Sequence, residues 1–247
     1  MDPLKFTTIA HSTHRYLSPL SPAKAAWLVE RLELPNAARV LDIGCGGGAL
    51  LIEVAAATGA TGVGVDINPG FVERAAASAR ERGLESRLSW RCSPLLEAVT
   101  GSERFDAVLC LGASQAIGSF VDALAWSYRR LVAGGVALFA DGFWQRRPDA
   151  AYLATLGASE DELTSHAGNA QHARDAGFRV LASATASADE WDDYEGRYAA
   201  AVERHLAAHP QDPDADAMAT RIRGWHDAYL RYGRDTLGFG FYVLLKR

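Results

Sequence analysis

Two acids at the ends of short apolar runs, and the glycines that follow the first of them, are the residues best suited to hold a ligand. The stretch Val40-Leu41-Asp42-Ile43-Gly44-Cys45-Gly46-Gly47-Gly48-Ala49 reads as a strand ending in a carboxylate, a turn of small residues and the start of a helix. Glycine is needed where the backbone turns sharply and where a ligand approaches main-chain atoms with no Cβ in the way. A helix that starts there directs free N–H groups at that ligand. Gly44, Gly46 and Ala49 satisfy the dinucleotide pattern G-x-G-x-x-G/A. Asp42, however, would face a pyrophosphate with like charge, and suits an ammonium group instead. The second acid, Asp66, closes Thr61-Gly62-Val63-Gly64-Val65-Asp66-Ile67-Asn68. A carboxylate at that point accepts hydrogen bonds from both ribose hydroxyls of an adenosine ligand, with Ile67 against the adenine face. A turn that serves packing alone, with Asp42 and Asp66 capping helices, accounts for the glycines but not for where Asp66 falls.

Proton acceptors are fewer. His11, His14, Asp141 and His166 are the candidates, and Asp141 follows an apolar run at the edge where ligands bind in open α/β sheets. His14 and Tyr16 precede a helical stretch and can fold over a ligand, although surface histidines have the same appearance in a sequence. Trp144 offers a flat apolar wall just after Asp141. Two aromatic stripes, Trp191/Tyr194/Tyr198 and Trp225/Tyr229/Tyr232, either line a pocket or form the buried sides of amphipathic helices. Arg221, Arg223, Arg231 and Arg234 read as a solvated basic face.

The elements that must position these residues follow from the apolar runs. Arg39–Ile43, Thr61–Val65, Phe105–Leu111, Gly135–Ala140 and Phe178–Leu181 are short and bounded by Gly, Asp or Pro, as buried parallel strands are. Helical stretches lie between them at Ala49–Thr58, Pro69–Arg82, Phe120–Val132 and Ala167–Ala176. The alternation predicts βαβ units with right-handed crossovers, hence an α/β fold. The segment before Glu33 ends in a helix from Pro22. Residues 188–234 read as two helices broken at His209-Pro210-Gln211-Asp212-Pro213, and the chain returns as a strand, Phe239–Leu245.

Composition narrows the function classes. The 247 residues carry a net charge of −5, 49% apolar residues and 22% charged residues, which fits a globular domain and gives no basic surface for a nucleic-acid partner. The three cysteines, Cys45, Cys92 and Cys110, form no CxxC pair and no zinc spacing, so no metal is expected and a reducing cytoplasm fits best. His11, His14 and Arg15 interrupt the first twenty residues, so no signal peptide or membrane span is expected.

Taken in order, these motifs resemble class I S-adenosylmethionine-dependent methyltransferases. Asp42-x-Gly44-x-Gly46-x-Gly48 is similar to that family's first motif and Gly64-Val65-Asp66 to its second. Phe105-Asp106-Ala107-Val108-Leu109-Cys110-Leu111-Gly112 is similar to the strand beneath the methyl donor, and Leu131-Val132-Ala133-Gly134-Gly135-Val136-Ala137-Leu138 to the segment before the fifth strand, with Ala133 in place of a proline. The flanking segments Ser18–Ser21, Asp141–Trp144, Glu190–Tyr194 and Gly233–Gly240 resemble a bacterial subgroup of small methyltransferases. The family's adenine-binding acid has no counterpart here; its place falls at Ser93 or Pro94, so Ser93 or a main-chain amide such as that of Leu95 takes the role.

The resemblance implies a Rossmann-like doubly wound sheet of seven strands, mostly parallel, with the last strand inserted antiparallel, plus a helical lid. Residues 1–36 and 188–234 would form the lid, and 37–187 with 235–247 the donor-binding core. It implies S-adenosylmethionine as donor, held by Tyr16, Asp42, Gly44, Cys45, Gly46, Asp66, Ile67, Asn68, Ser93, Pro94, Leu95, Leu111 and Gly112. A small-molecule acceptor would face His14 and Asp141 as proton acceptors and Trp144, Trp191 and Tyr194 as walls. Two other readings remain open on these residues: an NAD(P)-dependent oxidoreductase, which Gly44, Gly46, Ala49 and Asp66 also fit although no Tyr-x-x-x-Lys pair is present, and a non-catalytic S-adenosylmethionine sensor.

Overall fold

A computed structural model describes all residues, 1–247. In chain order its strands are β1 (Arg39–Ile43), β2 (Thr61–Asp66), β3 (Leu88–Cys92), β4 (Phe105–Leu111), β5 (Leu131–Trp144), β6 (Phe178–Thr185) and β7 (Leu237–Lys246). Its helices are α1 (Pro3–Ala10), α2 (Pro22–Glu30), α3 (Ala49–Thr58), α4 (Pro69–Glu81), α5 (Leu95–Ala98), α6 (Phe120–Arg130), α7 (Ala150–Leu156), α8 (His166–Asp175), α9 (Ala188–Ala208), α10 (Ala215–Ala228) and α11 (Arg234–Thr236).

The chain divides into two compact units. The sheet unit comprises Ser21–Asp141, Ala167–Thr185 and Phe239–Arg247; the helical unit comprises Met1–Leu20, Gly142–His166 and Ala186–Gly238. By its contacts, α2 therefore groups with the sheet, and residues 142–166 group with the helices.

In the sheet unit the seven strands lie in the order β3-β2-β1-β4-β5-β7-β6. The pairs β1–β2, β1–β4, β2–β3 and β4–β5 are parallel, and β7 runs antiparallel to β6. Strand order winds outward in both directions from the β1/β4 pair, so right-handed crossovers put helices on opposite faces. This is the doubly wound Rossmann-like sheet, and β7 is its antiparallel insertion. The core is filled by Leu41 and Ile43 of β1, Phe105 and Val108 of β4, Phe139 of β5, Leu124 of α6 and Tyr242 and Leu244 of β7. Local signals place the helices: Asn68 caps α4 by accepting from the Gly70 and Phe71 N–H groups, and Ser119 with Asp122 forms a capping box on α6.

Two strands, β5 and β6, outrun their expected lengths the most. β5 starts at Leu131 and passes through Gly134 at φ 73°, with a register shift against β4 between Phe105 and Ala107. An irregularity of this kind hides the start of a strand from an apolar-run criterion. β6 continues to Thr185; it is the last strand of the order, and after the buried Phe178 it alternates exposed with half-buried residues, a period of two rather than a continuous apolar run.

In the helical unit, Phe6 and Ala10 of α1 pack with Ala199 and Val202 of α9 and with Met218 and Ile222 of α10. An eight-residue helix is marginal alone. Full burial of Phe6 contributes roughly 1.5–3 kcal/mol, and the Asp2 cap on Leu4 N–H adds about 1. Neither α1 nor α7 stands out as an apolar stripe in the sequence. α10 runs on through a π-helical turn, Tyr229–Gly233, into α11. Along this stretch Met218, Ile222 and Tyr229 are buried and Trp225 is half-buried; the turn shifts the phase only from Tyr229 on, where Tyr232 is half-buried.

Candidate functional site

In the sheet unit the carboxyl ends of β1, β2 and β4 carry the first set of candidates, next to the β1/β4 pair where strand order reverses. The turn after β1 holds Gly44 at φ 62°, Gly46 at φ 51° and Gly48 at φ 72°, a left-handed succession that only glycine adopts without strain. The glycines serve different neighbours. A Cβ on Gly44 would lie 2.4 Å from the Ala113 Cβ, and one on Gly48 would lie 2.4 Å from the Trp90 ring. The Trp90 ring also takes the space beside Gly64, at 2.5 Å. Trp90 was not among the expected site residues, and nothing local marks a tryptophan on β3 as the neighbour of a turn after β1.

Asp66 ties the turn together. Its Oδ2 accepts the Gly46 N–H at 2.9 Å and its Oδ1 accepts the Asn68 N–H at 2.9 Å. Cys45 N–H donates to Val65 O at 3.0 Å and Ser93 N–H to Asp66 O at 3.1 Å, which link the turn to β2 and β2 to the end of β3. Each oxygen of Asp66 keeps further acceptor capacity. Ile67 beside it is 59% exposed, whereas Asn68 is buried. After β3, Ser93 is half-buried with its hydroxyl on Pro94 O, Pro94 is exposed at the start of α5, and Leu95 is buried. Leu111 is half-buried at the end of β4, and Gly112 follows it at φ 64° with its N–H on Ala140 O at 2.7 Å.

Asp42 is the outlier. It is 5% exposed, and no hydrogen-bond donor of the protein reaches its carboxyl. Burial, and then the charge of Asp66, pushes that carboxyl well above the usual carboxylate range. Cys45, half-buried beside it, is raised in the same way by burial and by Asp42 and Asp66. A buried carboxyl without a donor is costly as an anion. An ammonium group from a ligand would supply both the hydrogen bonds and the opposite charge. This donor chemistry fits the amino end of S-adenosylmethionine, and Asp66 fits its ribose.

Asp141, near the end of β5, accepts from the Ser114 hydroxyl at 2.5 Å. Burial pushes the Cys110 thiol and the Tyr242 hydroxyl up, and the charge of Asp141 adds to both. Ser114 was not expected from the sequence; it lies in the short turn after Gly112 and becomes visible only when β4 and β5 pair.

The remaining candidates lie in the helical unit, where Tyr16 is buried and stacks under Arg15 at 5.5 Å. His14 is also buried; its Nε2 meets Tyr194 O at 2.9 Å, so that nitrogen carries the proton and the lone pair of the neutral ring sits on Nδ1. His11 has Nδ1 on Thr7 O at 3.0 Å and Nε2 on the Tyr194 hydroxyl at 3.1 Å, so its Nε2 accepts. His11 and His14 are thus interior rings packed edge-on at 5.1 Å, not surface histidines. Trp144 donates Nε1–H to Glu160 O at 2.8 Å and sits 6.4 Å from Tyr152. Trp191 is buried, 6.1 Å from Tyr194 and 6.3 Å from Tyr229. The basic run is paired: Arg223 with Glu203, Arg231 with Asp227 and Arg234 with Asp192, while Arg221 lies over Phe6. No group of three His, Cys, Asp or Glu side chains could hold a metal ion, and no helix is long and apolar enough to cross a membrane.

Known proteins share this architecture. Residues 40–135 match the family model for a methyltransferase domain. The ubiquinone biosynthesis O-methyltransferase of Pseudomonas putida strain W619 is 31% identical over 160 residues, covering 62% of this chain and 67% of that protein. The uncharacterized protein YjhP of Escherichia coli strain K12 is 29% identical over 250 residues, spanning 100% of both chains. The crystal structure of an S-adenosylmethionine-dependent methyltransferase from Geobacter sulfurreducens, in complex with S-adenosyl-L-homocysteine, superposes with a TM-score of 0.92 at 26% identity over 98% of each chain.

Proposed function

Because the chain belongs to the class I S-adenosylmethionine-dependent methyltransferases, we propose that it methylates a small-molecule acceptor, in the cytoplasm, by direct in-line transfer. The observation that carries this reading is Asp42, a buried carboxyl that no protein donor satisfies, placed one strand from Asp66 on the edge where the glycine turn opens. S-adenosylmethionine supplies an already activated methyl group on a positively charged sulfur, so the protein's contribution is to position and to exclude water.

In this reading Asp42 holds the donor's ammonium, and Asp66 holds its ribose hydroxyls. The Gly44–Gly48 turn lets the donor approach the main chain. Ile67 and Asn68 flank the adenosine with Ser93, Pro94 and Leu95, while Leu111 and Gly112 underlie the sulfur. Asp141 and the Nδ1 of His14 are the proton acceptors for an oxygen or nitrogen nucleophile. Trp144, Trp191 and Tyr194 are the acceptor's apolar walls. Support for a small acceptor comes from the net charge of −5 and from the pairing of Arg223, Arg231 and Arg234 with acids, both unfavourable to gripping a phosphate backbone. The three cysteines are all free thiols, as a reducing compartment allows.

Titration calorimetry with S-adenosylhomocysteine and, separately, with NAD tests the donor assignment; tighter binding of NAD would overturn it. Release of S-adenosylhomocysteine in the presence of an acceptor panel of phenols, thiols and amines tests catalysis. Donor binding without turnover on any acceptor would favour a sensor.

A further inference from the structure

Gly64 lies inside β2 and is not among the glycines held at positive φ. Its backbone conformation is open to any residue, so the reason for glycine is space. A Cβ there would lie 2.5 Å from Cε3 and Cζ3 of the Trp90 ring and 2.9 Å from the Cys45 Sγ. A glycine inside a strand marks such a close approach. The same edge of the ring reaches the glycine turn. A Cβ on Gly48 would lie 2.7 Å from Cζ3 of Trp90 and 2.8 Å from the Ala75 Cβ. One half-buried ring is thus wedged between β2 and the turn that follows β1.

Strand register brings a β3 residue to that place. Asp42 of β1 pairs with Gly64 of β2, and Gly64 pairs with Trp90 of β3. Paired residues of neighbouring strands share a face of the sheet. Gly64 leaves the middle of this row empty, and the indole is large enough to lean into the gap. Gly48 opens α3 without any side-chain cap. The entry to α3 is therefore held by the bond from Gly48 N–H to Cys45 O at 2.9 Å and by packing against Trp90 and Ala75.

We propose that Trp90 is a positioning residue of the donor site. Its ring fixes where the Gly44–Gly48 turn and the first turn of α3 stand, and Gly64 is glycine so that the ring can enter. The inference rests on the reading of that turn as the donor site, and Trp90 acts through the turn. Without the ring, the arriving ligand must order the turn itself, which costs affinity.

Titration calorimetry with S-adenosylhomocysteine on the full chain, paired with urea unfolding, reads the effect. Trp90→Leu is expected to weaken binding about tenfold or more on protein that circular dichroism shows to be folded, whereas Trp90→Phe, which keeps a ring, stays within about threefold. Gly64→Ala presses a methyl group against the ring. Alone it is expected to weaken binding about fivefold or more; beside Trp90→Leu it costs less than about twofold, because the ring is gone and Cys45 can move into the vacated space. A ring that only filled the core would lower stability in urea and leave the affinity of the folded chain unchanged. That result overturns the proposal, and so do additive losses in the double variant. Should Trp90→Leu not fold, Trp90→Phe takes its place in the cycle, and a loss from Gly64→Ala that is equal in both backgrounds overturns the proposal. Absence of binding by the wild type removes the donor reading and this inference together. Wild-type binding that Trp90→Leu leaves intact removes this inference alone.

Discussion

The Asp66 carboxylate and the Gly46 N–H are hydrogen-bonded at 2.9 Å, so the acid at the end of the second strand holds the glycine turn that follows the first. One carboxylate thereby has two tasks. It shapes the turn, and in the proposed complex it binds the ribose. Replacing Asp66 by Ala removes both. The loss of charge-assisted hydrogen bonds is expected to cost about 2–4 kcal/mol of donor binding, a fall in affinity of roughly thirtyfold or more. Calorimetry with S-adenosylhomocysteine on folded protein reads this; unchanged affinity would place the ribose elsewhere.

Gly46 adopts φ 51° and is buried in that same turn. Gly46→Val puts a branched side chain into the left-handed region, where Cβ meets the following carbonyl, and into the space left for a ligand. Donor binding is expected to disappear while circular dichroism stays close to the wild type. Retained binding would remove the turn from the site.

For Asp42 the sign of a proton effect can be tested. Its carboxyl is raised by burial and then by Asp66, so wherever the free protein holds a proton there an arriving ammonium displaces it. Affinity for S-adenosylhomocysteine is therefore expected to rise with pH until Asp42 ionises unaided, with up to one proton released on binding. The apparent binding enthalpy should differ between phosphate and Tris buffers. Asp42→Asn should abolish that difference and weaken binding at least tenfold, and a wild-type enthalpy independent of buffer would contradict the assignment.

Glu195 predicts a pH dependence of stability. Its carboxyl is about 7 in the folded chain against an ordinary 4.5. Below about 4.5 both states hold the proton and the group is neutral in effect. As pH rises from there through 7, the unfolded chain binds fewer protons, so stability falls, by roughly 3 kcal/mol in total. Glu195→Gln should match the wild type in urea unfolding at pH 4.5 and exceed it by about 2–3 kcal/mol at pH 8. Parallel curves across that range would mean the carboxyl is not raised.

On the acceptor side, His14→Asn and Asp141→Asn each remove a proposed proton acceptor. Turnover is expected to slow at least tenfold while S-adenosylhomocysteine affinity stays within about threefold, roughly 0.7 kcal/mol. Steady-state kinetics with a turned-over acceptor, paired with calorimetry, separates the two effects. Loss of donor binding in either variant would move that residue into the donor site.

The glycine turn and the elements around it were legible in the chain because their geometry is local. Strand, turn and helix are consecutive from Val40 to Ala49, and the left-handed turn demands glycine whatever lies beyond it. β1, β4 and α3 accordingly begin and end where their residues predict. Asp66 could be paired with that turn because the next parallel strand in a βαβ unit lies beside the first, and β1 and β2 do pair in register.

Tertiary structure decided what depends on the rotation of one helix against another. Glu195 is four residues beyond Trp191 and reads as one more charge on a mixed face of α9; packing turns it inward, and Trp225, thirty residues away, becomes its hydrogen-bond donor. The π-helical turn shifts the phase of the residues from Tyr229 on by an amount that no periodicity of the sequence reveals, leaving Tyr229 buried and Tyr232 half-buried. The interior placement of His11 and His14 has the same origin. A histidine in a polar stretch looks exposed until α9 brings Tyr194 against it. Side-chain type sets what each residue can do chemically, whereas helix phase and packing set which groups meet.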